Sequence, residues 1–174
     1  MVSLSGLYQE VWSALEPEVE LDFFDIVKDF NRMGIRYLII GRRAVVLYGA
    51  PVLTADYDFW IDSKERAVVL SYFLKKGCSL SDSEDSMKPI IQAYAGPQKI
   101  DLFFHKAIRN LEGELIEFKS CYENATVKED PEQAIFFYIP SIDDLIKTKK
   151  IRQRNVKDLQ DIEYLLKAKD MTTS

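Results

Sequence analysis

One succession of elements limits the possible folds of this chain more than any other part of the sequence. Residues 36–40 form a short apolar run with high β-propensity, and Gly41 follows it directly. Residues 42–48 have the composition of a helix, and a second β-prone run follows at residues 57–61. The sequence therefore predicts a strand, a glycine turn, a helix and a second strand in close succession.

Further elements are predicted on both sides of this unit. Residues 21–33 place apolar side chains on one stripe of a helical period, which predicts an amphipathic helix ending near Gly34. Asp62 and Glu65 resemble a capping box, so the helix they open is expected to run to about Lys76.

The middle of the chain is predicted to be mostly β-structure. Residues 77–87 are polar and without a periodic apolar face, which predicts a loop. Gly96-Pro97 separates two β-prone runs, residues 90–94 and 99–104, and this arrangement predicts a hairpin. Residues 114–139 are interpreted as further strands.

The last third of the chain is predicted to be helical, over about residues 141–169. Ser141 and Asp144 form an N-cap signature at its start. The core face is expected to consist of Leu159, Ile162, Leu165 and Leu166. The fold class predicted from all these elements is α+β, with a mixed β-sheet, helices packed on one face and a C-terminal helical segment.

Composition excludes several classes of protein. The 174 residues include 47% hydrophobic residues, enough for one domain spanning residues 1–174. The net charge of -5 argues against a general polycationic surface, so any nucleic-acid contact must be local. Cys78 and Cys121 form no CxxC pair, and His105 is the sole histidine, so a Cys/His zinc cluster is excluded. Both cysteines are interpreted as reduced core residues.

Nothing in the sequence predicts targeting or membrane insertion. The N-terminal region contains Glu10, Glu16, Glu18 and Glu20 and lacks the basic start and apolar run of a signal peptide. No apolar stretch approaches the roughly 20 residues that span a bilayer. We therefore expect a cytoplasmic protein with no membrane partner.

Two carboxylates stand at the start of the second predicted strand. Asp56 and Asp58 share one face because side chains alternate along a strand, whereas Tyr57 points the other way. Carboxylates roughly 6 to 7 Å apart repel by about 2.5 kcal/mol at an effective dielectric near 20. A divalent cation between them would remove that penalty.

Asp101 is a single acid within an otherwise apolar strand. The alternation places Asp101 on one face with Lys99 and Phe103, and Ile100 and Leu102 on the other. If this strand pairs with the one carrying Asp56 and Asp58, the three acids converge. Such a site suits Mg²⁺ or Mn²⁺, as in two-metal phosphoryl transfer.

An Asp-x-Asp pair alone is also compatible with other interpretations. It can be two solvated loop acids before a strand. It can also be the nucleotide-sugar site of a glycosyltransferase, although 174 residues are few for that fold and no Rossmann pattern precedes the pair.

The order of the motifs narrows these alternatives. Gly41 to Gly49, then Thr54-Ala-Asp56-Tyr-Asp58, then Asp101 resembles the pattern of the minimal nucleotidyltransferases and AbiEii-type toxins of the DNA polymerase β-like superfamily. The resemblance covers about residues 20–105, which would form the catalytic core, and extends to the C-terminal helices.

The resemblance implies a chemistry and a set of partners. Asp56 and Asp58 would hold the metal that carries a nucleoside triphosphate, and Asp101 would join a second metal and help deprotonate the acceptor hydroxyl. A nucleoside monophosphate would pass to a hydroxyl on RNA or protein, releasing pyrophosphate. The protein would then be a metal-dependent nucleotidyltransferase, with a toxin role and a cognate antitoxin as further expectations.

Two positions depart from the family pattern. Arg42 replaces a small residue after Gly41, and Val52 replaces the arginine expected between Gly49 and Thr54. One hypothesis is that Arg42 supplies the lost charge and grips phosphate oxygens, with Gly41 and Thr54 completing the nucleotide-binding loop. The alternative is a catalytically silent binding module on the same fold.

A basic segment, Lys147 to Lys157, interrupts the acidic chain. Within it Lys149 and Arg154 match the family pattern best and are predicted to contact phosphate. A solvated helix face is the alternative, because Lys157 lies four residues before Asp161. His105 is assigned no role. The three adjacent phenylalanine pairs are interpreted as core, although one member of each pair could stack on a base: Phe23 and Phe24, Phe103 and Phe104, Phe136 and Phe137.

Overall fold

The computed structural model describes residues 19–173. The predictions drawn from Glu10, Glu16 and Glu18 lie outside this range. Within it the helices are α1 (Phe23–Met33), α2 (Gly41–Leu47), α3 (Arg66–Lys75), α4 (Phe118–Glu123), α5 (Ile142–Thr148) and α6 (Val156–Thr172). The strands are β1 (Tyr37–Ile39), β2 (Tyr57–Ile61), β3 (Ser79–Leu80), β4 (Ile90–Ala95), β5 (Gln98–Phe103), β6 (Ala107–Arg109), β7 (Leu115–Glu117), β8 (Thr126–Asp130) and β9 (Ile135–Ile139).

The central sheet has five strands in the order β1-β2-β5-β4-β3. β2 and β5 are parallel, and the other neighbours in the sheet are antiparallel. The sheet is therefore mixed, as predicted. β4 and β5 form the expected hairpin, whereas β6 with β7 and β8 with β9 form separate two-stranded ladders.

One face of the sheet packs on the two main helices, α1 and α3, and forms the larger core. Strand alternation sends Phe59 and Ile61 of β2, and Ile100 and Leu102 of β5, to this side, where all four are fully buried. Helix α1 meets them with a stripe of its own: Phe23, Ile26, Val27 and Phe30. Fully burying each such side chain contributes about 1.5–3 kcal/mol to folding.

The opposite face carries the site residues and a smaller core. Leu38 and Trp60 are buried there against Ile116, Phe118 and Cys121. The ring of Trp60 meets Phe118 edge-on, with centroids 5.5 Å apart. Part of this face is therefore covered by the β6–β7 hairpin and α4, and the remainder is left open beside the acids.

The predicted end of α1, the predicted cap of α5 and the predicted state of the cysteines are confirmed. Gly34 ends α1 in the left-handed region with φ 68°, and the Ser141 hydroxyl accepts from the Asp144 amide to cap α5. Cys78 and Cys121 are buried free thiols. No helix in the described range 19–173 is long and apolar enough to cross a membrane.

Three local predictions are wrong in detail. The predicted loop 77–87 contains strand β3 at the sheet edge, and helix α4 interrupts the strands predicted over 114–139. The Asp62 carboxylate caps a 3₁₀ turn by accepting from the Lys64 amide at 3.0 Å, and α3 begins only at Arg66. Short elements such as these depend on their tertiary partners more than on local propensity.

The predicted core face of α6 is also wrong in part. Leu165 is fully buried, but Leu159 is 52% exposed and Leu166 is 49% exposed. The positions that turn inward instead carry Asp158 and Asp161, which are 5% and 1% exposed. Ion pairs with cations from other elements hold these two acids inside, so apolar periodicity alone gave the wrong face.

Candidate active site

The pairing of β2 with β5 brings two acids together. Asp58 lies directly opposite Asp101 in the parallel register, so their backbones are one strand spacing, about 4.8 Å, apart. Both side chains are half-buried on the face away from the main helices, and Asp56 is exposed just before β2. The three predicted acids therefore lie near the start of β2 and beside it in the middle of β5.

Gly41 lies against the carboxylate of Asp58. Its φ of +67° is in the left-handed region, which disfavours side chains. A Cβ at this position would lie 2.3 Å from Asp58 Oδ2, far inside van der Waals contact. The backbone angle and the nearby carboxylate therefore each require glycine at position 41. The small size of Gly41 allows α2 to begin directly beside Asp58.

The environment of Asp58 opposes its charge. Burial and the neighbouring carboxylates of Asp101 and Asp56 together raise the pKa of Asp58 to about 6. Lys99 and Lys149 act in the opposite direction without cancelling the effect. A cation bound at this position would relieve the repulsion.

Asp101 already has a cationic partner. Lys99, two residues earlier on the same strand face, places its Nζ 2.8 Å from Asp101 Oδ2. Hydrogen bonding to Asp101 raises the pKa of Lys99, which keeps its ammonium charged at neutral pH. Asp101 therefore differs from Asp58, which has no ion-pair partner at that distance among the described residues.

The loop before β2 is held by Arg43. Its Nη2 donates to the carbonyl of Thr54 at 3.1 Å, and its Nε donates to the carbonyl of Asp56 at 3.2 Å. The guanidinium also lies over the rings of Phe23 and Tyr57, with 4.4 and 4.9 Å to their centroids. The Thr54 hydroxyl accepts from the Asp56 amide at 3.2 Å.

Arg43 therefore supports the loop in which the family pattern has the arginine that Val52 replaces. The sequence predicts the compensating charge at the neighbouring Arg42, and Arg43 is not among the predicted site residues. The absence of an arginine between Gly49 and Thr54 was the signal in the sequence that could have identified Arg43. A loop without its own arginine needs a cation from a neighbouring element, and α2 directly precedes this loop.

The acids open into a cavity of about 530 Å³. Gly41, Asp56, Asp58, Asp101 and Lys149 line it, together with apolar residues from β2, β5 and β6. A larger groove of about 700 Å³ between α1 and α3 has no acid in its lining. The cavity beside the acids is therefore the candidate site.

A buried charge network closes one side of the cavity. Lys149 is 9% exposed, and its Nζ lies 2.8 Å from Asp161 and 3.8 Å from Asp158. Arg42 Nε lies 3.3 Å from the other oxygen of Asp161, and Arg42 Nη2 donates to Gln160 at 2.5 Å. The network joins α2, the 149–155 segment and α6.

The predicted phosphate-binding residues occupy different places. Gly41 and Lys149 line the cavity, whereas Arg42, Thr54 and Arg154 are absent from its lining. Arg42 faces α6, Thr54 holds the loop and Arg154 is exposed. His105, which was assigned no role, does line the cavity.

The donor set suits a magnesium ion only with help from a substrate. Within residues 19–173, no group of three or more His, Cys, Asp or Glu side chains is arranged to hold an ion. Mg²⁺ is commonly held by one or two carboxylates together with substrate phosphates, and Asp56 and Asp58 fit that description. These residues can therefore accept a metal that arrives with a nucleotide.

Known structures share this fold. The lincosamide antibiotic adenylyltransferase LnuA, in its lincomycin-bound crystal structure, is similar with a TM-score of 0.63 and 17% identity, over 83% of this chain and 94% of that chain. The solution structure of the antibiotic-resistance factor ANT(2'')-Ia is similar with a TM-score of 0.56 and 12% identity, over 82% of this chain and 80% of that chain. No protein-family model matches the sequence, and no curated protein is significantly similar to it. The chain has the fold of nucleotidyltransferases.

Gly41→Ala should damage the site more than the same change at another left-handed glycine. Gly49, with φ +99° and no atom within 4 Å of a built Cβ, is the matched control. We expect Gly49→Ala to lose about 1–2 kcal/mol of unfolding free energy from backbone strain alone. Gly41→Ala should lose more and should also weaken Mg²⁺-dependent nucleotide binding, measured by calorimetry. Equal effects of the two changes would contradict the contact with Asp58.

Asp58→Asn should stabilise the protein at neutral pH in the absence of metal. Because the folded-state pKa is raised to about 6, ionised Asp58 lowers stability progressively as pH rises from the unfolded value of about 4 through 6. We expect the variant to be more stable by about 2 kcal/mol at pH 7.5 and indistinguishable from wild type near pH 4. Urea unfolding with a chelator present measures this difference, and Asp85→Asn, an exposed acid, is the control. A less stable Asp58→Asn at pH 7.5 would contradict it.

The adjacent arginines should respond differently to alanine substitution. Arg43→Ala removes both contacts to the loop carbonyls and should weaken Mg²⁺–nucleotide binding by about tenfold through Asp56. Arg42→Ala should lower the melting temperature, because Asp161 loses a partner. If Arg42→Ala leaves nucleotide affinity unchanged, the hypothesis that Arg42 grips phosphate fails.

Proposed function

We propose that this protein transfers a nucleoside monophosphate from a nucleoside triphosphate to an acceptor hydroxyl. The observation that carries the proposal is the Asp58–Asp101 pair on adjacent parallel strands, open to a cavity on a nucleotidyltransferase fold. The chemistry needs placement and charge neutralisation, so no nucleophilic side chain is required.

Asp56 and Asp58 are the residues that would hold Mg²⁺ or Mn²⁺. A bound ion would neutralise charge on the triphosphate and on the reacting oxygens. The raised pKa of Asp58 supports this assignment, because none of the cations among residues 19–173 forms an ion pair with this acid. Gly41 leaves the space in which that carboxylate and a phosphate can approach the backbone.

Asp101 would act on the acceptor. Its carboxylate faces the cavity beside Asp58 and can accept the hydroxyl proton while the oxygen attacks the α-phosphorus. Lys149 is the proposed phosphate contact, since it lines the same cavity at 9% exposure. Phosphate contacts by Arg42 and Arg154 stay predictions, and each requires its side chain to move toward the cavity.

The biological setting stays a prediction as well. An RNA or protein acceptor, a toxin role with a cognate antitoxin, membership of the AbiEii-type family and a cytoplasmic location rest on the sequence resemblance. The neighbours that share the fold include an enzyme named for lincosamide antibiotics, which makes a small-molecule acceptor a second possibility.

A catalytically silent binding module is the competing function. The Lys99–Asp101 ion pair favours it, because one of the three acids is neutralised without a metal. Titration calorimetry with each nucleoside triphosphate and Mg²⁺ separates the two functions: the module predicts no metal-dependent nucleotide binding.

Wild type should transfer label from an α-labelled nucleoside triphosphate to an acceptor in a cell extract with Mg²⁺ or Mn²⁺. Asp58→Ala and Asp101→Ala should each reduce transfer by about a hundredfold or more, because the first removes a proposed metal ligand and the second removes the proposed proton acceptor. Gel separation of labelled RNA, protein and small molecules identifies the acceptor class.

Asp85→Ala provides the control for a general loss of negative charge, since Asp85 is exposed in the loop before β4. Full transfer by Asp58→Ala would exclude the proposed site. No transfer by wild type, together with no metal-dependent nucleotide binding, would favour the silent module.

A further inference from the structure

The cavity has two chemically different ends. Strands β2 and β5 continue from the acids with one aromatic residue each, because Trp60 and Phe103 follow Asp58 and Asp101 by two positions. The parallel register pairs Trp60 with Phe103, as it pairs the two acids. A row of aromatic side chains therefore lies one strand repeat, roughly 7 Å, beyond the row of carboxylates.

The aromatic end has further apolar walls. Ile90 of β4, Ile108 of β6 and Ile151 of the 149–155 segment line the same cavity. Trp60 is fixed as the floor, because its indole N–H donates to the His105 carbonyl at 2.8 Å and its ring packs on Phe118. Burial lowers the pKa of His105, so its imidazole is neutral at physiological pH.

The charged residues that line the cavity do not suit a second polyanion, such as a nucleic acid, beside the triphosphate. Each Lys or Arg that lines the cavity has an acid partner: Lys99 has Asp101, Lys149 has Asp161 and Asp158, and Arg152 has Asp158. A nucleic-acid backbone bound beside the triphosphate would need additional cations. The volume of about 530 Å³ lies within the range of small-molecule sites.

We propose that the aromatic end is an acceptor subsite for a small alcohol with an aromatic or alicyclic body. The apolar body would lie over Phe103 and against Ile108, and its hydroxyl would reach Asp101. This inference rests on the proposed nucleotidyl transfer and narrows its acceptor from hydroxyl compounds in general to compact amphipathic ones.

The proposed transfer needs no reactant other than the alcohol and the nucleoside triphosphate. The hydroxyl oxygen forms a bond to the α-phosphorus of the triphosphate, and the bond from that phosphorus to the bridging oxygen breaks. Pyrophosphate leaves with the bonding electron pair. The hydroxyl proton passes to the Asp101 carboxylate, and the product is a phosphodiester of the alcohol and the nucleoside.

A nucleobase is the other candidate for the aromatic end, because any base can stack on such a surface. The two occupants are distinguishable by what a change at Ile108 affects. An acceptor subsite requires the alcohol to lose affinity, whereas a base subsite requires the nucleotide to do so.

Naphthalenemethanol is a suitable probe, and glycerol is its polar counterpart without an apolar body. Saturation-transfer NMR and titration with the full chain, Mg²⁺ and a non-hydrolysable nucleotide should show binding of naphthalenemethanol and not of glycerol. Ile108→Asn should weaken that binding by about tenfold or more.

Leu115→Asn is the matched control on the same hairpin, because Leu115 is 53% exposed and is absent from the cavity lining. It should change the affinity for naphthalenemethanol by less than about twofold. Wild type should also convert the alcohol to its nucleotidyl ester with a hydrolysable triphosphate, detected by mass spectrometry.

The outcomes separate this proposal from the proposed function. Nucleotide binding without alcohol binding overturns the acceptor subsite and leaves nucleotidyl transfer standing. Loss of nucleotide affinity in Ile108→Asn, with alcohol affinity unchanged, assigns the aromatic end to the base and also overturns it. Alcohol binding without any metal-dependent nucleotide binding contradicts the proposed function, and the acceptor assignment falls with it.

Discussion

The repulsion between neighbouring carboxylates is the constraint around which the site is built. Parallel pairing of β2 and β5 places Asp58 opposite Asp101, and Asp56 adds a third charge at the strand end. The ion pair with Lys99 neutralises the charge of Asp101, whereas Asp58 has no such partner among the described residues and its pKa is raised. Gly41, the loop held by Arg43 and the cavity above the acids all surround this unrelieved carboxylate.

The sequence predicted what depends on local pattern. Alternation along β2 and β5 correctly assigned the faces of the acids, and the order of elements gave a mixed sheet with helices. Prediction from the sequence failed where ion pairs between residues far apart in the chain decide the packing. Asp158 and Asp161 turn inward because Lys149 and Arg42 meet them there, and no apolar periodicity contains that information. Arg43 was missed for a related reason, since its partners are backbone carbonyls of a later loop.

The C-terminal part of the chain completes the site through ionic contacts. The 149–155 segment brings Lys149 and Ile151 to the cavity, and a capping box of Asn155 and Asp158 starts α6 directly after it. Asp158 thus caps the helix start and also forms an ion pair with Lys149 at 3.8 Å. Since buried pairs of this kind are costly to break on one side only, the position of the cavity wall is coupled to the folding of α6.

Asp58 links the stability of the fold to the ions around it. A half-buried acid that is unfavourably ionised at neutral pH lowers the free energy of unfolding. A cation that binds beside Asp58 only in the folded protein would offset that cost. Gly41 has no such dependence, because its positive φ favours glycine whatever the charge of the acid.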